Sequence, residues 1–174
     1  MSRFKELYRA DISRYGGGIS ESFKQWFWLF RKAQTVKNPI LKKVWNFFLM
    51  RKGKKYGIEI GHTVDVGPGL YIGHPFGITI NGRVKIGRNC NIHKGCTIGQ
   101  ENRGIRKGIP VIGDNVWIGV NSTIVGNIQV GNDVLIAPNT YVNCNVPDHS
   151  IAIGSPCRII HRDNATESYI SNKV

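Results

Sequence analysis

Aliphatic side chains recur at every sixth residue through the middle of the chain. The series runs Ile60, Val66, Ile72, then Ile80, Ile86, Ile92, Ile98, then Ile112, Ile118, Ile124, Val130, Ile136 and Val142. Two positions before all but Ile112 stands a second small or branched residue, among them Ile58, Val64, Leu70, Cys90, Cys96, Ser122 and Thr140. A helix of 3.6 residues per turn cannot hold a period of six in phase, and half-buried strands alternate with period two. A fixed repeat of this length predicts a parallel β-helix, in which each coil covers the apolar interior of the next. Gly61, Gly67, Gly87, Gly99, Gly113 and Gly131 follow the aliphatics, where sharp corners favour small or left-handed residues.

The series breaks twice. From Ile72 to Ile80 the step is two residues too long, and the extra pair falls within His74-Pro75-Phe76-Gly77. From Ile98 to Ile112 it is eight too long, so Gln100 to Pro110 holds a protruding loop with Arg103, Arg106 and Lys107. A solenoid does not need such excursions for its stability, which marks them as candidate functional segments.

Before the repeat the apolar pattern changes to helical spacing. Residues 3–15 and 20–53 are predicted helices, with Phe23, Trp26, Phe27, Phe30 and Ala33 on one face. Asn38-Pro39 forms an N-cap and first-turn pair, followed by Ile40, Leu41, Val44, Trp45 and Phe48 on one side. The expected organisation is thus a basic, aromatic helical region over 1–55, the β-helix over 56–162 and a polar, loosely ordered tail over 163–174.

Charge sharpens the picture of the first segment. The formal net charge is +13, yet residues 1–57 carry 14 Lys/Arg against 3 acidic side chains and so hold +11 of it. The expected role of these helices is to cap the solenoid or a neighbouring subunit, and the alternative is contact with an anionic membrane surface. Nucleic acid is not expected, because no reading motif accompanies the charge. No apolar run approaches the roughly 18 residues that span a bilayer, and the charged N-terminus leaves no secretory core. Cys90 and Cys96 sit at inward repeat positions and read as core filler. The expected location is the cytoplasm, with the inner membrane face as its variant.

The repeat, its two interruptions and Gly154-Ser155-Pro156-Cys157-Arg158 together resemble the hexapeptide-repeat acyltransferases, most of all the serine acetyltransferase-like branch. The resemblance covers about residues 56–162. It implies a mainly β, left-handed coil, a homotrimer, acetyl-CoA as donor, no metal, and active sites in clefts between subunits. In that branch a catalytic His opens the two-residue excursion, and His74 matches it. The family's Asp fifteen positions earlier becomes Glu59, and the second His of its loop becomes Ile109. By position, Gly119, Val120, Pro138, Asn143 and Arg158 are the coenzyme A candidates, with Arg106 and Lys107 available to its phosphates. His93, about one coil beyond His74, is a further candidate for the cleft.

Acyl transfer to an alcohol requires a base for the hydroxyl proton, and a neutral imidazole suits cellular pH. The expected mechanism is direct attack within a ternary complex, with His74 as base, Glu59 orienting it and backbone N–H groups holding the oxyanion. The expected acceptor is a sugar hydroxyl of a surface polysaccharide precursor (capsular, O-antigen or exopolysaccharide), with free serine as the alternative. Ile109, Glu59 and a short helical region of about 55 residues all argue for the sugar. The related metal hydratases need a His-x4-His pair, and no two histidines here are five apart. A non-catalytic scaffold is the remaining alternative.

Overall fold

A computed structural model describes residues 2–174. The helical region forms α1 (Arg3–Ser13), α2 (Glu21–Thr35) and α3 (Pro39–Lys54). Residues 20–53 divide into α2 and α3 at the expected N-cap and first-turn pair, where Asn38 accepts from the amides of Ile40 and Leu41. The first coil comprises β1 (Ile58–Ile60), β2 (Asp65–Val66) and β3 (Tyr71–Gly73), and the second β4 (Ile78–Ile80), β5 (Lys85–Ile86) and β6 (Asn91–His93). The third is β7 (Thr97–Gly99), β8 (Val111–Ile112) and β9 (Val116–Ile118), the fourth β10 (Thr123–Val125), β11 (Gln129–Val130) and β12 (Val134–Ile136). The last coil holds β13 (Tyr141–Val142) and β14 (Ser150–Ile153), and β15 (Arg158–His161) returns antiparallel onto β14.

Corresponding strands stack in parallel to give three faces. The first face runs β1-β4-β7-β10-β13, the second β2-β5-β8-β11 and the third β3-β6-β9-β12-β14-β15. Register follows the hexad, pairing Ile60 with Ile80 and Ile80 with Ile98. Every residue of the six-step series is at most 4% exposed, from Ile60 to Val142. Cys90 and Cys96 are fully buried among them. Asn89, Asn115, Asn121 and Asn139 turn the corners with positive φ, a conformation that asparagine tolerates better than most residues.

The helices close the first end of the stack. Trp26, Phe27, Phe30 and Ala33 are fully buried against the first coil, and burial of a large apolar side chain stabilises by roughly 1.5–3 kcal/mol. A Cβ on Gly53 would lie 2.5 Å from the Ile58 carbonyl oxygen, so glycine is what lets α3 approach β1. The predicted stripe on α3 is not the buried one, however. Leu49 and Gly53 face inward, whereas Ile40, Leu41, Val44 and Phe48 stay exposed.

Two buried charges of α1 and α2 lock the cap to the coil. Arg31 donates to both oxygens of Asp11 at 2.7 and 2.8 Å and to the carbonyls of Val66 and Gly67. Asp11 accepts in turn from the amides of Gly69 and Leu70. Burial pushes the Asp11 carboxyl up, while Arg31 and the two amides pull it down.

The tail is not loose. Asp133 accepts from the amides of Ala165 and Thr166 and from the Thr166 hydroxyl, fixing its start. It then runs down the third face, where Tyr169 meets Trp117 edge-on and its carbonyl accepts from Asn91. Near its end the Ser171 carbonyl accepts from Arg14, and Val174 exchanges hydrogen bonds with Asn89. The segment looks disordered in sequence because these bonds join backbone to polar side chains, with only Ala165 and Ile170 supplying apolar burial.

Candidate active site

His74 stands at the corner after β3, where the chain leaves the third face for the first. Its backbone is left-handed, with φ +54°, and Gly77 closes the excursion at φ +66°. Tyr15 secures the strand that leads to it. The phenol accepts from the Ile72 amide at 2.8 Å and donates to the Ile72 carbonyl at 3.0 Å, and its ring lies 4.5 Å from that of Tyr71. Burial pushes the Tyr15 phenol well above its ordinary value, which keeps it neutral. Beyond the corner, the amides of Gly77 and Gly95 hold the carbonyls of Tyr56 and Phe76. His74 is thus exposed on a corner fixed from both sides. It faces a cavity of about 330 Å³ lined also by Tyr15, Ser20, Tyr56 and Tyr71.

Sequence reasoning did not find Tyr15, Asp11 or Arg14, which hold the approach to His74. Arg14 is 2% exposed and donates to the Gly69 carbonyl and to Asn91. Their only signal was charge and a phenol on an amphipathic helix, a pattern shared with solvated faces.

His93 pairs in register with Gly73, and its ring occupies the space a Cβ at 73 would need, with Nδ1 at 2.5 Å. It packs 4.7 Å from the Trp117 ring, and its Nε2 is buried without a hydrogen-bond partner among the described residues. Burial, then the neighbouring His74, pushes its imidazole below the ordinary range, so it is neutral at cellular pH. His93 lines a cavity with Asn91, Trp117 and Tyr169, and is not among the residues lining the one that His74 faces.

Glu59 lies on the first face, outward and exposed, level with Thr79 of β4. Among the described residues no hydrogen bond joins it to His74. Val120 and Pro138 occupy the same corner as His74, two and three coils further on, and the Asn139 amide donates to the Val120 carbonyl. Gly119 permits this stacking, since a Cβ there would meet the Pro138 nitrogen at 2.6 Å.

Arg106, Lys107 and Asn143 lie at the opposite edge of the first face, whereas Arg158 pairs with Ile153 on the third. The Gln100–Pro110 loop is an ordered arm, tied by paired hydrogen bonds between Glu101 and Gly108. Arg106 and Asn143 line one cavity of about 210 Å³ with Glu101, Arg103 and Val125. Lys107 is exposed on the same arm, and Arg158 is exposed on β15. Ile109 sits half-buried against the core, so the arm presents no imidazole at that position. Three-residue strands, spanning about 10 Å, separate the two edges. No group of three or more His, Cys, Asp or Glu among the described residues could hold a metal ion.

A family model described as bacterial transferase hexapeptide (six repeats) matches residues 109–144. The chain is 33% identical over 135 residues to a serine acetyltransferase of Staphylococcus xylosus, covering 78% of this chain and 59% of that protein. Against the serine acetyltransferase of Staphylococcus aureus it is 36% identical over 135 residues, covering 78% and 60%. The chain therefore spans about three fifths of these relatives' length. It also superposes on the crystal structure of serine acetyltransferase from Brucella abortus, with a TM-score of 0.79 and 26% identity over 94% of this chain and 71% of that one. Superposition at this level bears out the parallel solenoid with N-terminal helices that the resemblance implied.

Proposed function

We propose, for a chain that belongs to the hexapeptide-repeat acyltransferases on their serine acetyltransferase-like branch, that it transfers the acetyl group of acetyl-CoA to the hydroxyl of serine. The observation that carries this reading is His74. It lies at the motif position, on a corner braced by Tyr15 and by the next coil, and opens onto a cavity of mixed apolar and polar lining. The relatives favour serine over the sugar acceptor expected from the sequence, since those compared are serine acetyltransferases and nothing in the comparisons supports a polysaccharide role.

In this reading His74 removes the hydroxyl proton as the oxygen attacks the thioester carbonyl. It then returns the proton to the departing thiolate. Glu59 steadies the imidazolium once substrates draw the two side chains together, and backbone amides hold the oxyanion. With Ile109 in place of a loop histidine, Ser20 and Tyr71 are the hydroxyls left to hold the amino acid, since Tyr15 and Tyr56 are engaged with Ile72 and Ser22.

The donor site is assigned to a cleft between subunits of a homotrimer. One chain offers the Gly119, Val120 and Pro138 corner, and its neighbour the Arg106, Lys107 and Asn143 edge, with Arg158 near the terminal coil. Two features support this. The two sets lie on opposite edges of one face, and Ile105 at the tip of the arm is 98% exposed, an apolar anchor with nothing under it. Light scattering is expected to give about three chains per particle. A fully active monomer would remove both the trimer and the shared cleft.

The acceptor is tested by release of coenzyme A thiol from acetyl-CoA against serine, simple sugars and nucleotide sugars. Turnover with serine alone is expected. Turnover with a sugar and none with serine would overturn the assignment.

A further inference from the structure

The outer face of α3 has no part in the proposed chemistry, yet it is the most unusual surface of the chain. Ile40 is 72% exposed, Leu41 47%, Val44 42%, Phe47 57% and Phe48 48%. These positions follow i, i+1, i+4, i+7, i+8, so one helix presents a continuous apolar stripe outward. An apolar hollow of about 490 Å³ between Leu29, Trp45 and Phe48 extends it, rimmed by Arg51 and Lys52. Residues 39–55 carry Lys42, Lys43, Arg51, Lys52, Lys54 and Lys55 and no acidic residue. No helix among the described residues is long and apolar enough to cross a membrane.

We infer that α3 is a docking face for an anionic lipid surface, lying in the plane of the interface with its apolar stripe inserted and its cations on the headgroups. Charge decides between the possible occupants. A second copy of the same face would set six further cations against these six. Beyond residue 57 the chain carries 10 Lys/Arg against 8 acidic side chains, so it lacks a strongly acidic surface to receive the stripe. An anionic bilayer satisfies both halves of the face at once, the apolar residues by insertion and the cations by attraction. The rest of the helical region does not compete for this role. Trp26, Phe27 and Phe30 are consumed in the cap, so docking leaves the fold untouched.

The test is co-sedimentation of the full chain with phosphatidylcholine vesicles prepared with and without phosphatidylglycerol, at low and at high salt. Binding is expected only with phosphatidylglycerol. Each lysine lost from the surface should weaken it about fivefold, and salt should weaken it further. Phe47→Ser combined with Phe48→Ser should cut binding at least about tenfold while particle size and melting temperature stay unchanged. Lys42→Glu with Lys43→Glu should do the same by charge alone. Failure to sediment with phosphatidylglycerol vesicles would overturn the inference. So would dissociation of the particle in the Phe47/Phe48 variant, which would make the face a contact between copies. Tighter binding to duplex DNA than to the vesicles would overturn it as well.

Discussion

His74→Asn is expected to keep the fold and assembly while lowering kcat by about 10²–10⁴, the range for loss of a general base. That corresponds to roughly 3–5 kcal/mol of barrier. Asparagine is the sharper replacement because His74 has a φ of +54°, which asparagine accepts with little strain and alanine does not. Circular dichroism and light scattering should therefore match the parent chain, leaving the rate as the only change. Glu59→Gln should cost less, since in the proposed mechanism its carboxylate steadies the imidazolium and transfers no proton. A loss below about fivefold in His74→Asn, together with a larger loss in His93→Ala, would move the base to His93. His93 is a competitor because it is neutral and electrostatically coupled to His74, although its unpaired Nε2 is buried.

Asp11→Ala is expected to produce the largest loss of stability, about 3–5 kcal/mol, because it strands Arg31 as a buried charge. For a chain of this size that lowers the melting temperature by roughly 6–20 °C. Replacing both members, as Asp11→Leu with Arg31→Met, is not expected to restore the parent value. An ordinary buried ion pair can often be exchanged for packed apolar groups at little cost. This one also satisfies the amides of Gly69 and Leu70 and the carbonyls of Val66 and Gly67, and the double variant strips these bonds, leaving Val66 only a long one from Gln34. Calorimetry of the two variants decides the matter. A double variant as stable as the parent would show that the bridging to the first coil contributes nothing.

The solenoid was legible because its packing has one rule, repeated. Each coil places an aliphatic at the same inward position, and that period appears in one dimension without any knowledge of contacts. The excursion at His74 was legible for the same reason, as a break in phase. The braces around it were not. Asp11, Arg14 and Tyr15 act on backbone groups more than fifty residues away, and nothing local distinguishes them from a solvated helix face. On α3 the amphipathic stripe was correctly seen, but periodicity shows only that a helix has an apolar side, not which side the protein covers. Leu49, off the stripe, is the buried residue. The sugar acceptor was expected from absences, and the relatives favour the serine alternative instead. Ile109 and Glu59 depart from a motif, and a departure records what is missing without saying what replaces it.

A stack of coils coupled only to its neighbours frays from its ends, each coil leaving on its own account. Here the segment after β15 departs from the far end, is pinned at Asp133 and reaches Asn89, Asn91 and Arg14 near the first coils. Detaching the last coil thus strips cover from the second, and loosening the helical cap releases the far segment from Arg14. The two ends share one strap, and the stack behaves less like a ladder that loses rungs than like a belt that is either buckled or open.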